Sequence, residues 1–418
     1  MKGSHLKQLR LAIFLTPLIF GACVKNTSGS SQNFRIPWQN SNHEYSVQDV
    51  YIESFNEPEF LQGIYAEFFI EPKLRFDQGR LAQPGTPSGR FASTSSGSAL
   101  ALDTVSMQAA TIYAHLERLQ KLNISSGAAS FLTTRLSIGV NVGIVTGNKT
   151  VDNNAQYNPD VDALLFVPYT DSYLPISFNA GVIAHEYFHS IFQHIVLVGI
   201  SKSVSYASAN IDEPRNTTPP KNFFPSDRPA VPTIAIDQYN RFVLRGINEG
   251  LADFWGWLYS GDETFVGRSL ADSLESRRLD RGNIQFYNAD YFKAILSSDP
   301  DDDVRLARAY SLGSQYAVYF RNISLKIFNG KSDADTRAKM AHILILSLPK
   351  FKEELVSKIT TEYLAPEVFV KSFMSALQES SDAPNLQGLD FCTSFHDVAP
   401  LSVEKLNGCE QKTSDATK

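Results

Sequence analysis

The chain has 418 residues, 20% charged and 43% apolar, which are ordinary globular figures and enough for two domains with real cores. The net charge is −6 with no basic stripe, which argues against a nucleic-acid partner. Internal repeats, Gly-rich phosphate loops and a Gly-x-Ser-x-Gly elbow are all missing, so neither a nucleotide-phosphate site nor a serine hydrolase is indicated.

The N-terminus reads as a targeting segment. Lys2, Lys7 and Arg10 precede an apolar run from Leu11 to Phe20 that is too short to span a bilayer. Phe20-Gly21-Ala22-Cys23 resembles a bacterial lipobox, although Phe20 stands where Leu is usual. The reading is a signal peptide over 1–22 and a lipid anchor on Cys23. Val24 is not the Asp that retains enterobacterial lipoproteins at the inner membrane, so the expected location is the cell envelope, on the outer membrane facing the periplasm. Residues 23–45 are rich in Ser, Asn and Gln and read as a flexible tether.

Folding is expected to resume at 46, where Tyr51, Phe55, Phe60, Tyr65, Phe68 and Phe69 cluster. Gln78 to Gly97 is Gly/Pro/Ser-rich and predicts a loop. A helix follows over about Leu102 to Leu122; its His115 has no metal partner at helical spacing and reads as a packing or surface residue. Alternating apolar residues predict two strands within 131–149 and another over Asp162 to Tyr169.

The next stretch carries chemistry. His185-Glu186-Tyr187-Phe188-His189 reads His-Glu-x-x-His inside an apolar run, and residues four apart share one helix face. His185 and His189 can hold one metal ion, with Glu186 beside them as general base, the pattern zinc uses in metalloproteases. Ile183, Tyr187, Ile191 and Ile195 supply the core-facing stripe, Asn179 the N-cap and Gly199 the stop. Ile247-Asn248-Glu249-Gly250-Leu251-Ala252-Asp253 places Glu249 and Asp253 one turn apart on a second helix. A carboxylate there completes a two-His, one-Glu set and leaves a position open for water. Asp253 is then suited to orient a liganding imidazole through its other N–H. His194 fits no zinc spacing and reads as a partly buried structural residue.

Together these two motifs resemble those of the gluzincin peptidases, in particular the thermolysin-like and fungalysin-like groups. The resemblance runs over roughly residues 103–320 and extends through Asn248 and Gly256. It implies an α+β fold: a mixed N-terminal part with a β-sheet and the His-Glu-x-x-His helix (46–200), a mostly helical part carrying the third ligand (243–385), and a cleft between them. It implies a zinc peptidase acting on a peptide or protein substrate, with Asn248 and Asp253 supporting the ligands. Asn154-Ala155-Gln156-Tyr157 resembles the edge strand that pairs with substrate backbone in that group, making Asn154 and Ala155 substrate-binding candidates. For the oxyanion, Tyr310 in Tyr310-Ser311-Leu312-Gly313 resembles a Tyr-x-x-Gly element of related aminopeptidases, with Tyr316 and Tyr319 as alternatives. The chain departs from the pattern in the roughly 60 residues between His189 and Glu249; Lys202 to Arg241, rich in Pro, Asn and Ser, reads as an inserted loop over 201–242. Should Glu249 not be the ligand, Asp262 and Glu263 are the nearest carboxylates to test.

Beyond the second motif, Leu306 to Phe328, Ala334 to Leu346 and Ala365 to Leu377 have helical apolar spacing. Asp299-Pro300-Asp301-Asp302-Asp303 lacks the EF-hand spacing and reads as an acidic helix start. With Cys23 lipidated, Cys392 and Cys409 remain as a disulfide pair closing the tail over 386–418. Two other classes stay open: a non-catalytic envelope lipoprotein with a binding role, and a zinc hydrolase of a non-peptide substrate.

Overall fold

The computed structural model describes residues 32–70, 75–127, 135–146, 149–200, 234–270, 277–281, 289–298 and 302–382. Cys23, Cys392, Cys409 and most of the 202–241 insert lie outside these residues, as do Asp299, Pro300 and Asp301.

Alternation of apolar and polar residues starts earlier than the composition suggests. Phe34 and Ile36 are fully buried, and they sit on β1 (Gln32–Gln39), which pairs antiparallel with β2 (Tyr45–Ile52). Residues 32–45 are therefore part of a hairpin rather than a flexible tether: Phe34 and Ile36 bury against the body, and that burial outweighs the polar residues around them. β3 (Ala66–Ile70) follows, then the small hairpin of β4 (Arg75–Asp77) and β5 (Arg80–Ala82). Next come β6 (Phe91–Ser93) and β7 (Ala99–Ala101). The expected loop over 78–97 thus contains β5 and β6, both only three residues long.

The first sheet has the order β2-β1-β7-β6, with β1 and β7 parallel. Helix α1 (Thr104–Ser125) starts where the Asp103 side chain accepts the N–H of Ser106, two residues later than the spacing predicted. It is buried on nearly every face, because it lies against the strands on one side and the metal-motif helix on the other. Then come β8 (Leu136–Val140), β9 (Ile144–Thr146), β10 (Lys149–Val151), β11 (Ala155–Asn158) and β12 (Ala163–Phe166). The second sheet has the order β11-β12-β8-β3; β12 and β3 run parallel to β8, and β11 is an antiparallel edge. Among the described residues β9 and β10 pair only with each other.

From there the chain is helical: α2 (Ala180–Phe192), α3 (Ile236–Ser260), α4 (Phe265–Ser269), α5 (Ala289–Ser298), α6 (Asp302–Ile327), α7 (Ala334–Lys358) and α8 (Val368–Glu379). The fold is α+β, strand-rich first and helical after. α3 begins inside the stretch read as inserted loop, because Tyr239, Phe242 and Val243 already give it a buried face. α7 continues twelve residues beyond Leu346 and carries Pro349 within it. Among the described residues no helix is long and apolar enough to cross a membrane.

Two glycine contacts set the helix packing around the motifs. A Cβ on Gly256 of α3 would lie 2.8 Å from the Gly181 carbonyl of α2 and 2.6 Å from the Phe265 ring. The close approach registers α2 and α3 antiparallel. On the other flank, a Cβ on Gly313 of α6 would lie 3.0 Å from the Glu249 Cβ. Gly246 meets Ala309 and Leu312, and Gly250 meets Gly313 and Tyr316, so α6 runs parallel to α3.

Candidate metal centre

α2 forms as its sequence dictates. The Asn179 carboxamide accepts the N–H groups of Gly181 and Val182, and its Nδ2 is tied to the Phe265 carbonyl and Ser269. Ile183, Tyr187 and Ile191 fill the core, with Asn123 of α1 donating to the Tyr187 hydroxyl. After Phe192 the helix widens into a π-turn (Gln193–Leu197) and ends near Gly199, whose φ is +86°.

The opposite face of α2 meets α3. His185 Nε2, His189 Nε2 and Glu249 Oε2 form a triangle with edges of 3.0, 3.4 and 3.8 Å. Bonds of about 2.0–2.1 Å to a tetrahedral ion separate neighbouring ligand atoms by roughly 3.3 Å. The three side chains therefore fit one metal ion, and among the described residues they are the group that could hold one. All three have little solvent contact, His189 the most.

Electrostatics divide the two histidines. Burial pushes His185 down, but its Nδ1–H donates to Asp253 Oδ1 at 2.9 Å and its Nε2 faces Glu249; together these hold the ring up at about 10. His189 is pushed down to about 4 by burial, with the neighbouring His185 adding to it. Burial would raise Glu249, yet the two imidazoles and Arg245 hold it far below the usual carboxylate range. Binding of a cation by these three side chains would require both imidazoles to be unprotonated at the nitrogens that face it.

Glu186 stands beside the triangle rather than in it. Its Oε1 is 4.0 Å from His185 Nε2, and its Oε2 accepts the Tyr157 N–H at 2.9 Å. Tyr157 lies on the edge strand β11, and its N–H points away from β12 because backbone groups alternate sides. Ala155, two residues back, shares that outward side; its N–H donates to the Asn154 side chain at 2.8 Å. Among the described residues no further strand pairs with this side of β11, and the Tyr157 N–H joins that edge directly to the carboxylate.

Asp253 is where the motif predicts, 2% exposed and bonded to His185. Asn248 is buried on α3 directly before Glu249. Tyr310 is on α6, half-buried, with its hydroxyl accepting Arg245 Nη2–H at 3.1 Å. Tyr316 and Tyr319 are fully buried in the helical core, which removes them as candidates for touching a substrate. Asp262 is bonded to Arg268 and Glu263 to Arg321, away from the cluster. His194 pairs with Asp162 at 3.0 Å, and His115 is buried with its Nδ1 on the Tyr259 hydroxyl, both structural roles.

No protein-family model matches this chain, and no curated protein matches it either. The site rests on its own geometry.

Two contributors were not anticipated. Arg277 grips Asp253 with both Nε (3.0 Å) and Nη2 (2.6 Å), and its Nη2 lies 3.4 Å from His185 Nδ1. It stands 24 residues from Asp253 with no local pattern to mark it. Arg245 precedes Glu249 by one helical turn, so Arg241, Arg245, Glu249 and Asp253 form a legible i, i+4 stripe.

Proposed function

We propose that the protein is a zinc-dependent peptidase of the gluzincin type. The observation that carries this reading is a buried triangle of side chains that could hold a metal ion, with a further carboxylate, Glu186, beside it and tethered to a strand edge. A binding protein needs the triangle alone; the adjacent Glu186 is what hydrolysis needs.

Zinc held by His185, His189 and Glu249 would supply positive charge that acidifies water and polarises a carbonyl. The rest is done by the chain. Asp253, anchored by Arg277, fixes the His185 ring so that Nε2 faces the ion position. The Tyr157 N–H orients the Glu186 carboxylate. Glu186 takes a proton from the attacking water and passes it to the leaving amine. The outward backbone groups of β11 would pair with an extended peptide, which places the scissile bond beside Glu186. In that pairing Ala155 would exchange its bond to Asn154 for one to the substrate. Tyr310 would donate to the carbonyl oxygen as charge develops there. The same reading includes a lipid anchor at Cys23 in the bacterial envelope and a Cys392–Cys409 disulfide.

Glu186→Gln decides the matter. It keeps the shape and leaves the ligands intact, so zinc is retained near one equivalent while peptide cleavage falls by about 10²–10⁴-fold. Cleavage at the wild-type rate would remove Glu186 as base. Wild type and variant equally inert over a broad peptide library, both zinc-loaded, would move the binding or non-peptide alternatives ahead. For the anchor, Cys23→Ser is expected to release the protein to the soluble fraction; wild type that never incorporates labelled palmitate would end that part of the reading.

A further inference from the structure

Arg245 has a place in the site that the two motifs do not account for. It is on α3, one turn before Glu249, and donates from Nη2 to the Tyr310 hydroxyl oxygen at 3.1 Å. Its guanidinium centre is 5.4 Å from the Tyr310 ring centroid, and that of Arg277 is 5.9 Å away. Both cations also border the ligands. Arg277 approaches His185, while the charge of Arg245 acts on Glu249 and His189. The backbone adds to this, since Gly313, one turn after Tyr310, lies against Glu249. Tyr310 is thus held by its own helix one turn before the level of Glu249, beside Arg245, and is bracketed by two guanidinium groups.

We propose that Arg245 is a positioning residue for Tyr310: it occupies an acceptor site on the hydroxyl oxygen and so directs the O–H proton to the carbonyl oxygen of a bound peptide. A guanidinium has donors only and cannot accept that proton, so the proton turns away from Arg245. Fixing the donor before substrate arrives spares reorganisation at the moment of reaction. This rests on the peptidase reading of the site.

The test is a double-mutant cycle on the zinc-loaded full chain, with Arg245→Met, Tyr310→Phe and both together. It reads kcat, KM, zinc content and calorimetric affinity for a phosphinic peptide, a stable mimic of the tetrahedral carbon. Each single variant is expected to keep its zinc and its KM within about threefold. Each should lose about 10- to 100-fold in kcat and in phosphinic-peptide affinity. The double variant should lose no more than the worse single, because both act through one hydrogen bond. Arg245→Lys, which keeps a donor but not the planar fork, should lie between, and it carries the cycle if Arg245→Met does not fold. Additive losses, or unchanged kcat in Arg245→Met, overturn the proposal while the peptidase reading stands. A wild type that neither cleaves peptides nor binds the phosphinic peptide overturns both.

Discussion

Glu117 and Glu249 are both carboxylates withdrawn from water on long helices, but their neighbours are of opposite kinds. Glu117 on α1 is surrounded by donors: the Glu53 and Ser54 N–H groups at 3.0 and 2.8 Å, the Ser54 hydroxyl and the Lys121 ammonium at 3.2 Å. Every partner it needs is in the chain. Glu249 faces two imidazole nitrogens and a second carboxylate, Glu186, behind them. To hold a cation both imidazoles must present lone pairs, and the three side chains converge as ligands would, whereas Glu117 is already saturated. A buried carboxylate saturated by donors is a staple; one that converges with other ligand atoms is a candidate for part of a metal site. Counting buried acids does not separate the two, whereas asking what each neighbour can donate does.

The comparison can be broken by experiment. Its largest consequence is at Glu249. Glu249→Ala should take metal content, measured by plasma emission on dialysed protein, from near one equivalent to near zero. A retained equivalent would mean that Glu249 is not the third ligand. Asp253→Ala leaves the triangle but frees the His185 ring and strands Arg277. A loss on the order of 10–100-fold in metal affinity is expected by competition with a chromophoric chelator. An unchanged affinity would make Asp253 merely the partner of Arg277.

At the donor-rich end, Glu117→Ala strands the Ser54 and Glu53 N–H groups. It should cost about 1–3 kcal/mol in urea unfolding with no change in metal content. Loss of metal in that variant would show that the two regions are not independent. Glu117→Gln sharpens the point through pH. Burial would raise the Glu117 carboxyl, but the hydrogen bonds outweigh it and its folded value lies below the usual 4.5. Its contribution is then complete above about pH 4.5 and fades as pH falls through the depressed folded value. The wild type should lose stability over that acid window and Glu117→Gln should lose less of it. Parallel acid limbs would refute the assignment.

The residues that could hold a metal ion were legible because the spacing is local: His185 and His189 are four residues apart on one amphipathic helix, as are Glu249 and the neighbouring Asp253 on the next. The N-cap Asn179 was legible for the same reason, whereas the edge position of β11 was expected only from the resemblance. What escaped was long-range or was hidden by composition. Arg277 reaches Asp253 from another segment, and no periodicity marks such a contact. The Tyr157 N–H holds Glu186, but a backbone group leaves no trace in sequence. The β1–β2 hairpin did leave one, the alternation of Phe34, Ile36 and Trp38, which the surrounding Ser, Asn and Gln masked. The start of α3 was missed likewise, with Pro and Asn upstream outweighing Tyr239, Phe242 and Val243.

The contact of Gly181 with Gly256 has one more consequence. It registers α2 against α3 by direct packing, with Phe265 as the third party, so the distance from His185 to Glu249 does not depend on the chain that joins the two helices. The spacing of the two motifs along the sequence is then free to drift. Lengthening a flexible connection twofold costs only about 0.6 kcal/mol in closure entropy. A different connection between α2 and α3 should then leave the His185–Glu249 distance unchanged as long as the Gly181–Gly256 crossing is kept.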